Sequence, residues 1–437
     1  MLPILDFPSV VAHYADHFDS LFANAQQQQH FREYVSGLIL ADKATVEAIN
    51  GLFVTSNDQS ALNKFLTHAP WDEEALNRRR LQLERDALQR ASASAQQGYL
   101  IVDDTFAHHV GQQIEWIAKL WDHSEHRYTW AHNLVTSFYV NRAQRFPVNF
   151  RLWQQFQEKA EKQHLRILAA GLACAPTLAD RHAYLVALLE FRVRQQTYRT
   201  KQQLAQELVA DAVCHALPFA TVLFDGWYLH RDLLATIEQH HKDWIGGCPK
   251  DRLVDWQGRW IQLQAYVKTI PASAYRRYLV AGRSYWVFTK VLTVKSLQRR
   301  VRLVASYDNA ALQGDPKLLA TNRKDWEPTK ILTSFLYRWP TETFNEDAKQ
   351  HLGLEDYQLR KIVGIKRHWY LVFTAYSLLR LDAEQSRLLK VVTAGLETTG
   401  ERCRAVAQEM VRTLVLWIYK RVKEEQSATT ILHALNA

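Results

Sequence analysis

The chain has 437 residues, 47% of them hydrophobic, which is enough to bury a sizeable core and to fold as two or three domains. Its 54 Lys and Arg against 45 Asp and Glu leave a net charge of +9, a modest excess that favours a polyanionic partner. Cys174, Cys214, Cys248 and Cys403 are scattered singly, which excludes paired zinc-ligand spacing and a disulfide framework. The first residues lack a basic leader followed by an apolar run, and no apolar stretch approaches the ~18 residues of a membrane span, so a cytoplasmic protein is expected.

From about Val10 to Arg90 apolar residues recur at three- and four-residue steps, which predicts helices. Leu81, Leu83 and Leu88 sit among Arg78, Arg79, Arg80, Arg85 and Arg90, a basic helix that reads either as a solvated face or as a phosphate-contacting one. Ala91 to Gly98 is small and polar and predicts a linker.

The period then changes. Tyr99 to Val102 reads as a buried strand stopped by Asp103-Asp104-Thr105. Strands are expected at His132 to Tyr139 and Phe146 to Leu152, joined by a hairpin connection over Asn141 to Arg145, followed by mostly helical residues from about Gln154 to Leu217. A second buried strand, Ala220 to Phe224, ends in Asp225-Gly226-Trp227-Tyr228, and a helix to about His240 and a strand at Trp244 to Gly246 follow. This order predicts a mixed α/β sheet.

Between about Asp251 and Pro328, alternating segments at Trp260 to Val267, Tyr285 to Thr293 and Val301 to Tyr307 read as a β-rich insertion, with Leu318 to Asn322 as its last strand. A helix over the following residues stops near Gly353, suited to the left-handed C-terminal position. On that helix Arg338, Glu342 and Lys349 fall within roughly 40° of one another at about 100° per residue. Pro340 implies a kink or a fresh helix start, and a fresh start would take Arg338 off the stripe. From Tyr357 to about Leu435 the chain reads as helical.

Asp103 and Asp225 would stand at the carboxyl ends of buried strands, where ligand sites in open α/β sheets gather, with Glu342 on a helix downstream. Hard divalent ions prefer carboxylate oxygens, and a metal pair about 4 Å apart can activate a hydroxyl and stabilise the leaving oxygen of a phosphodiester. Asp104 competes with Asp103, and strand alternation allows only one of them on the site's face. Glu346 shares the stripe and rivals Glu342. An Asp that follows an apolar strand is, taken alone, more commonly a helix cap or turn residue.

These residues resemble the DDE-type transposases of bacterial insertion sequences. Arg338, Glu342 and Lys349 match that family's signature of Tyr, two residues, Arg, three residues, Glu, six residues, Lys, with Phe335 where Tyr is expected. Asp103-Asp104-Thr105 resembles the first-acid motif and favours Asp103. Asp225, Trp227 and Tyr228 resemble the second. Gln350-His351-Leu352-Gly353-Leu354 and the stretch from Phe31 through Gly37-Leu38 to Trp71-Asp72 are also similar.

The resemblance implies an RNase H-like mixed-sheet catalytic core with a β-rich insertion. The domains would be a helical N-terminal DNA-binding domain over 1–95, core over 96–250, insertion over 251–328, core with the Glu helix over 329–380 and a helical region over 381–437. It further implies Mg²⁺, with Mn²⁺ able to substitute, on Asp103, Asp225 and Glu342, and DNA contacts from Arg338 and Lys349; Trp227 and Tyr228 beside the second acid, and Arg78, Arg79 and Arg80 of the basic helix, are the other expected DNA-binding residues. The implied partners are double-stranded DNA, as terminal inverted repeats and target, bound by a homodimer at the bacterial nucleoid. A captured nuclease without joining activity and a silent DNA-binding derivative are the other readings.

Other features suggest ordinary structure. His108-His109 and His123-x-x-His126 are expected as polar surface or loop residues, and Trp256, Trp260 and Trp286 as sheet core. Arg299, Arg300 and Arg302 fit an edge-strand defence or a DNA contact equally.

Overall fold

The structure, a computed structural model, describes residues 3–54, 58–90, 98–122, 125–155, 158–385 and 398–435. Six strands form its centre: β1 (Gly98–His109), β2 (Ala118–Asp122), β3 (Arg127–Val140), β4 (Arg145–Trp153), β5 (Phe219–Phe224) and β6 (Asp243–Gly247). β1 runs antiparallel to β3 and parallel to β5, which runs parallel to β6. β2 and β4 pair successive parts of the long β3. Six more, β7 (Leu253–Trp256), β8 (Arg259–Gln262), β9 (Arg276–Val280), β10 (Arg283–Val294), β11 (Arg299–Tyr307) and β12 (Lys317–Thr321), make up the β-rich insertion. β12 pairs with β6, so the insertion extends one continuous sheet in the order β2-β3-β1-β5-β6-β12-β11-β10-β7-β8. This is the mixed α/β arrangement of an RNase H-like core with its β-rich insertion.

Strand alternation gives each face of the sheet its own core. Ile101, Leu134, Phe138, Leu223 and Ile245 point to one face, which is covered by helices from both ends of the chain. These are α1 (Ser9–Ala15), α2 (Ala25–Leu40), α3 (Val46–Asn50), α4 (Gln59–Thr67) and α5 (Glu73–Arg90) from the N-terminal part. α6 (Glu158–Cys174) and α7 (Leu178–Thr197) follow β4, and Leu100, Val102, Val135, Val222 and Phe224 point to the opposite face, against α8 (Lys201–Cys214) and α9 (Arg231–Gln239). α10 (Leu263–Lys268) lies in the insertion, and α11 (Pro328–Leu336), α12 (Trp339–His351) and α13 (Ile362–Gln385) return to the first face. α14 (Thr399–Lys423) and α15 (Ala428–Leu435) end the chain.

α13 buries Trp369, Tyr370, Leu371, Val372 and Phe373 in succession, because it is packed on several sides by N-terminal helices and β4. α12 is seated by Phe344, whose ring lies 5.3 Å from that of Phe138 in β3.

Several expectations need correction. β1 does not stop at Asp103 but continues to His109 along β3; only its pairing with β5 ends there. Polar residues at the edge of the parallel pair imitate a strand end. Trp260 to Val267 is not one strand, since β8 ends at Gln262 and α10 begins at Leu263. His108 and His109 lie within β1 rather than in a loop, and the His109 ring is 4.2 Å from that of Tyr357. Trp260 is exposed, while Trp256 and Trp286 are partly buried against the core. Arg299 pairs with Glu238 at 2.6 Å and Arg302 donates to Thr289, leaving Arg300 exposed. Ala91–Gln97 of the expected linker and His123 lie outside the described residues.

Arg80 is the largest correction. It is fully buried, and its guanidinium donates to Pro147 O at 2.7 Å, Val148 O at 2.9 Å, Ser377 Oγ at 2.9 Å and Asn77 Oδ1. It ties α5 to β4 and α13 and cannot reach DNA. Burial lowers its pKa only to about 10, so it stays charged at neutral pH. Replacing it leaves several buried acceptors unpaired, and Arg80→Met is expected to cost at least about 3 kcal/mol in chemical denaturation. Arg78→Ala on the exposed face of the same helix should stay within about 0.5 kcal/mol.

Candidate active site at the end of the parallel strand pair

The register of β1 with β5 pairs Val102 with Phe224, so the next residues, Asp103 and Asp225, stand side by side. Both lie two residues beyond Ile101 and Leu223 of the helix-covered face, and share it by alternation. Asp225 then turns the chain: its Oδ1 accepts from the N–H of Trp227 at 3.0 Å and of Tyr228 at 3.3 Å, capping a short 3-10 turn. Gly247 at the end of β6 lets this turn sit close. A Cβ there would lie 2.7 Å from Gly226 N.

Glu342 arrives from the other side, in the first turn of α12. A new helix starts at Trp339 with Pro340 in its first turn, as one of the two sequence alternatives had it, yet Arg338 keeps helical backbone angles at the N-cap and stays over Glu342. Its guanidinium forks: Nη1 donates to Asp103 Oδ2 at 3.0 Å, and Nη2 donates to Glu342 Oε1. One cation therefore joins a strand carboxylate to a helix carboxylate. Glu346, the rival acid, is exposed one turn further on.

Asp103 is largely buried, and that burial pushes its carboxyl up to about 7; Arg338 opposes the rise, while the charges of Asp225 and Asp104 add to it. Burial also raises Asp225, against the two backbone N–H groups it accepts. Both carboxyls are thus raised chiefly because burial disfavours their charged forms.

Asp104 points to the opposite face, into a separate network. It accepts from Lys201 Nζ at 2.7 Å, Asn133 Nδ2 at 2.8 Å and the Tyr228 hydroxyl at 3.0 Å. The Lys201 ammonium also lies 5.1 Å from the Trp153 ring centroid and 5.4 Å from that of Trp227. Tyr228 is fully buried, so it braces the site from behind and offers no surface for DNA. Trp227 beside it is 52% exposed.

Lys349 does not reach Glu342. Its amine pairs with Glu355 at 3.1 Å, and Glu355 also accepts from the His108 ring and backbone. Burial alone would raise the Glu355 carboxyl, but these partners together hold it down at about 2. The other His108 nitrogen meets Asp122 at 2.9 Å, and His108, Asp122 and Glu125 are the one group of metal-ligand type among the described residues whose ligand atoms all lie within 4.8 Å of one another. Arg78 is exposed and bonded to Asp72, and Arg79 donates to His17 O.

Two cations were not visible in the sequence. Lys201 opens α8 as an ordinary first-turn residue. Lys317 starts β12 and lies 4.8 Å from the Phe335 ring centroid, the same ring that Arg338 approaches at 5.9 Å. Phe335 thus supplies an aromatic face to both, and no hydroxyl is needed for that contact.

No curated protein sequence matches the chain. The family model for the DDE superfamily endonuclease matches residues 17–266, more than half the length, and that for the transposase DDE domain matches residues 188–378. Asp103 and Asp225 fall in the first range, and Asp225 and Glu342 in the second. No helix among the described residues is long and apolar enough to cross a membrane. With its mixed sheet and these two matches, the chain belongs to the DDE superfamily of endonucleases and transposases.

Proposed function

We propose that the protein is the transposase of an insertion sequence, binding the terminal inverted repeats as double-stranded DNA, cutting the strands at their ends and joining them to target DNA. One observation carries this reading: strand register and the Arg338 fork bring Asp103, Asp225 and Glu342, far apart in sequence, into one neighbourhood. The donor set is all carboxylate oxygen, burial raises its two aspartates, and a guanidinium already sits on two of the acids. That fits a hard divalent ion, with Mg²⁺ the resident and Mn²⁺ a substitute. When bound, such ions polarise the scissile phosphate and lower the pKa of the attacking hydroxyl or water.

The chain's own residues do the rest. Asp225 is aimed by the N–H groups of its turn, and the Asp104, Lys201 and Tyr228 network fixes the strand segment behind Asp103. Trp227 offers an exposed ring at the site's rim, Arg338 and Lys349 lie along the Glu helix for phosphate contacts, and Arg78 and Arg79 remain the N-terminal candidates for the ends. The helices of 1–95 would bind DNA, 96–250 and 329–380 form the catalytic core, 251–328 the insertion and 381–437 the C-terminal region. A homodimer would work on paired ends at the nucleoid.

Asp225→Asn should leave end binding nearly unchanged while cutting cleavage in Mg²⁺ at least about a hundredfold, and Glu346→Gln should cleave normally. Gel-shift and nicking assays decide it, and retained cleavage in the Asp225 variant would sink the assignment. Replacing Arg78 and Arg79 with Gln should reduce the log–log salt slope of binding by about 0.9 for each phosphate that is no longer neutralised. Asp103 holds a proton up to about 7 when folded but only to 3.8 otherwise, so metal-free stability falls as pH rises between those values. Asp103→Asn removes that loss. Without metal it should be more stable than the wild type at pH 8, on the order of 2 kcal/mol, with the gap closing at pH 4 in thermal melts.

A further inference from the structure

Asp103 and Glu342 are held by a single cation. Arg338 Nη1 takes Asp103 Oδ2 at 3.0 Å and Nη2 takes Glu342 Oε1, while the other Asp103 oxygen accepts from the Asp104 N–H at 3.0 Å. The two neighbouring ammonium groups are engaged elsewhere: Lys201 with Asp104, and Lys317 over the Phe335 ring. Arg338 is itself mostly buried, and its guanidinium lies beside that same ring.

We propose that Arg338 is a placeholder for the divalent ion: in metal-free protein its fork keeps Asp103 and Glu342 together, and ion entry displaces it toward Lys317, where the two cations meet a DNA phosphate. This inference rests on the reading of Asp103, Asp225 and Glu342 as metal-holding residues. Arg338 is a positioning residue here, acting through the two carboxylates.

The physical basis is competition for the same oxygens. A divalent ion such as Mg²⁺ binds carboxylate oxygen at about 2.1 Å, closer than any N–H donor, and carries twice the charge of a guanidinium. Asp103 Oδ2 cannot satisfy both at full strength, because its partner oxygen faces the backbone. The displaced side chain has a neighbour to move toward, since the Phe335 ring is within cation–π distance of both Arg338 and Lys317. Two cations over one ring attract a phosphate, and a phosphate holding Arg338 there frees the carboxylates. Metal and DNA therefore bind with positive coupling, and by linkage each strengthens the other equally.

The experiment titrates Mn²⁺ into wild type, Arg338→Gln and Asp225→Asn by calorimetry without DNA, with thermal melts in parallel. Arg338→Gln should melt lower than wild type in the absence of metal, bind Mn²⁺ about fivefold or more tightly, and gain more in Tm from Mn²⁺. A short duplex ending in a 5′-phosphate should tighten Mn²⁺ binding to wild type and not to Arg338→Gln.

An ordinary structural ion pair would lower both melting points equally with and without Mn²⁺ and leave its affinity unchanged or weaker, and that result overturns the inference. If Arg338→Gln does not fold, Arg338→Lys keeps the charge but cannot fork, and tighter Mn²⁺ binding is again required. Wild type that binds Mn²⁺ through Asp225 while the Arg338 variants match it refutes only the placeholder. Absence of Mn²⁺ binding to wild type refutes the metal-site reading as well.

Discussion

Two carboxylates placed side by side at the end of a buried parallel strand pair are costly to ionise, first because they are buried and then because they repel each other. Neighbouring strands run about 4.8 Å apart. At an effective dielectric near 20, two full charges at roughly 5 Å cost on the order of 3 kcal/mol, before the penalty of burial. The protein accepts that strain at Asp103 and Asp225 and answers it locally. Backbone N–H groups cap one oxygen of each, and Arg338 neutralises part of what remains. Burial still dominates, which is why Asp103 is pushed up to about 7 rather than held down by its salt bridge.

The sheet makes this arrangement rigid. Asp103 cannot retreat, because β1 continues past it for six residues on β3. Asp225 cannot turn away, because its turn is packed on Gly247 and its neighbour Tyr228 is tied through Asp104 to Lys201 and Asn133. Adjacent acids on one strand thus serve opposite faces: Asp103 faces the helix that carries Glu342, and Asp104 anchors the turn that carries Asp225. The choice between them is made by alternation and by partners already committed.

Much of this was legible in the sequence. The buried runs before Asp103 and Asp225 and the helix after Pro340 were visible as periodicity, and the spacing of Arg338, Glu342 and Lys349 indicated a shared stripe. What the sequence could not carry was tertiary. Arg80 reads as one of several helix arginines, and nothing local says that it alone enters the core and bonds the carbonyls of β4. Tyr228 reads as an exposed aromatic of a turn, although its hydroxyl is buried against a carboxylate 124 residues upstream. Lys349 fits the stripe, yet its amine goes to Glu355, beyond the helix. Charge on a helix is readable; the direction in which it is used is set by partners elsewhere in the chain.

Phe335 shows why a phenylalanine, rather than the tyrosine expected there from sequence, suits this place. A tyrosine at this place would present the same ring to Arg338 and Lys317, with a hydroxyl added at a buried position. The ring is 7% exposed, so that hydroxyl would need a hydrogen-bond partner there. Phenylalanine keeps the cation-binding face and omits the demand. Phe335 therefore keeps the contact through which the Glu helix, the start of β12 and the carboxylate cluster are joined, and Lys317 becomes as much a part of that junction as Arg338.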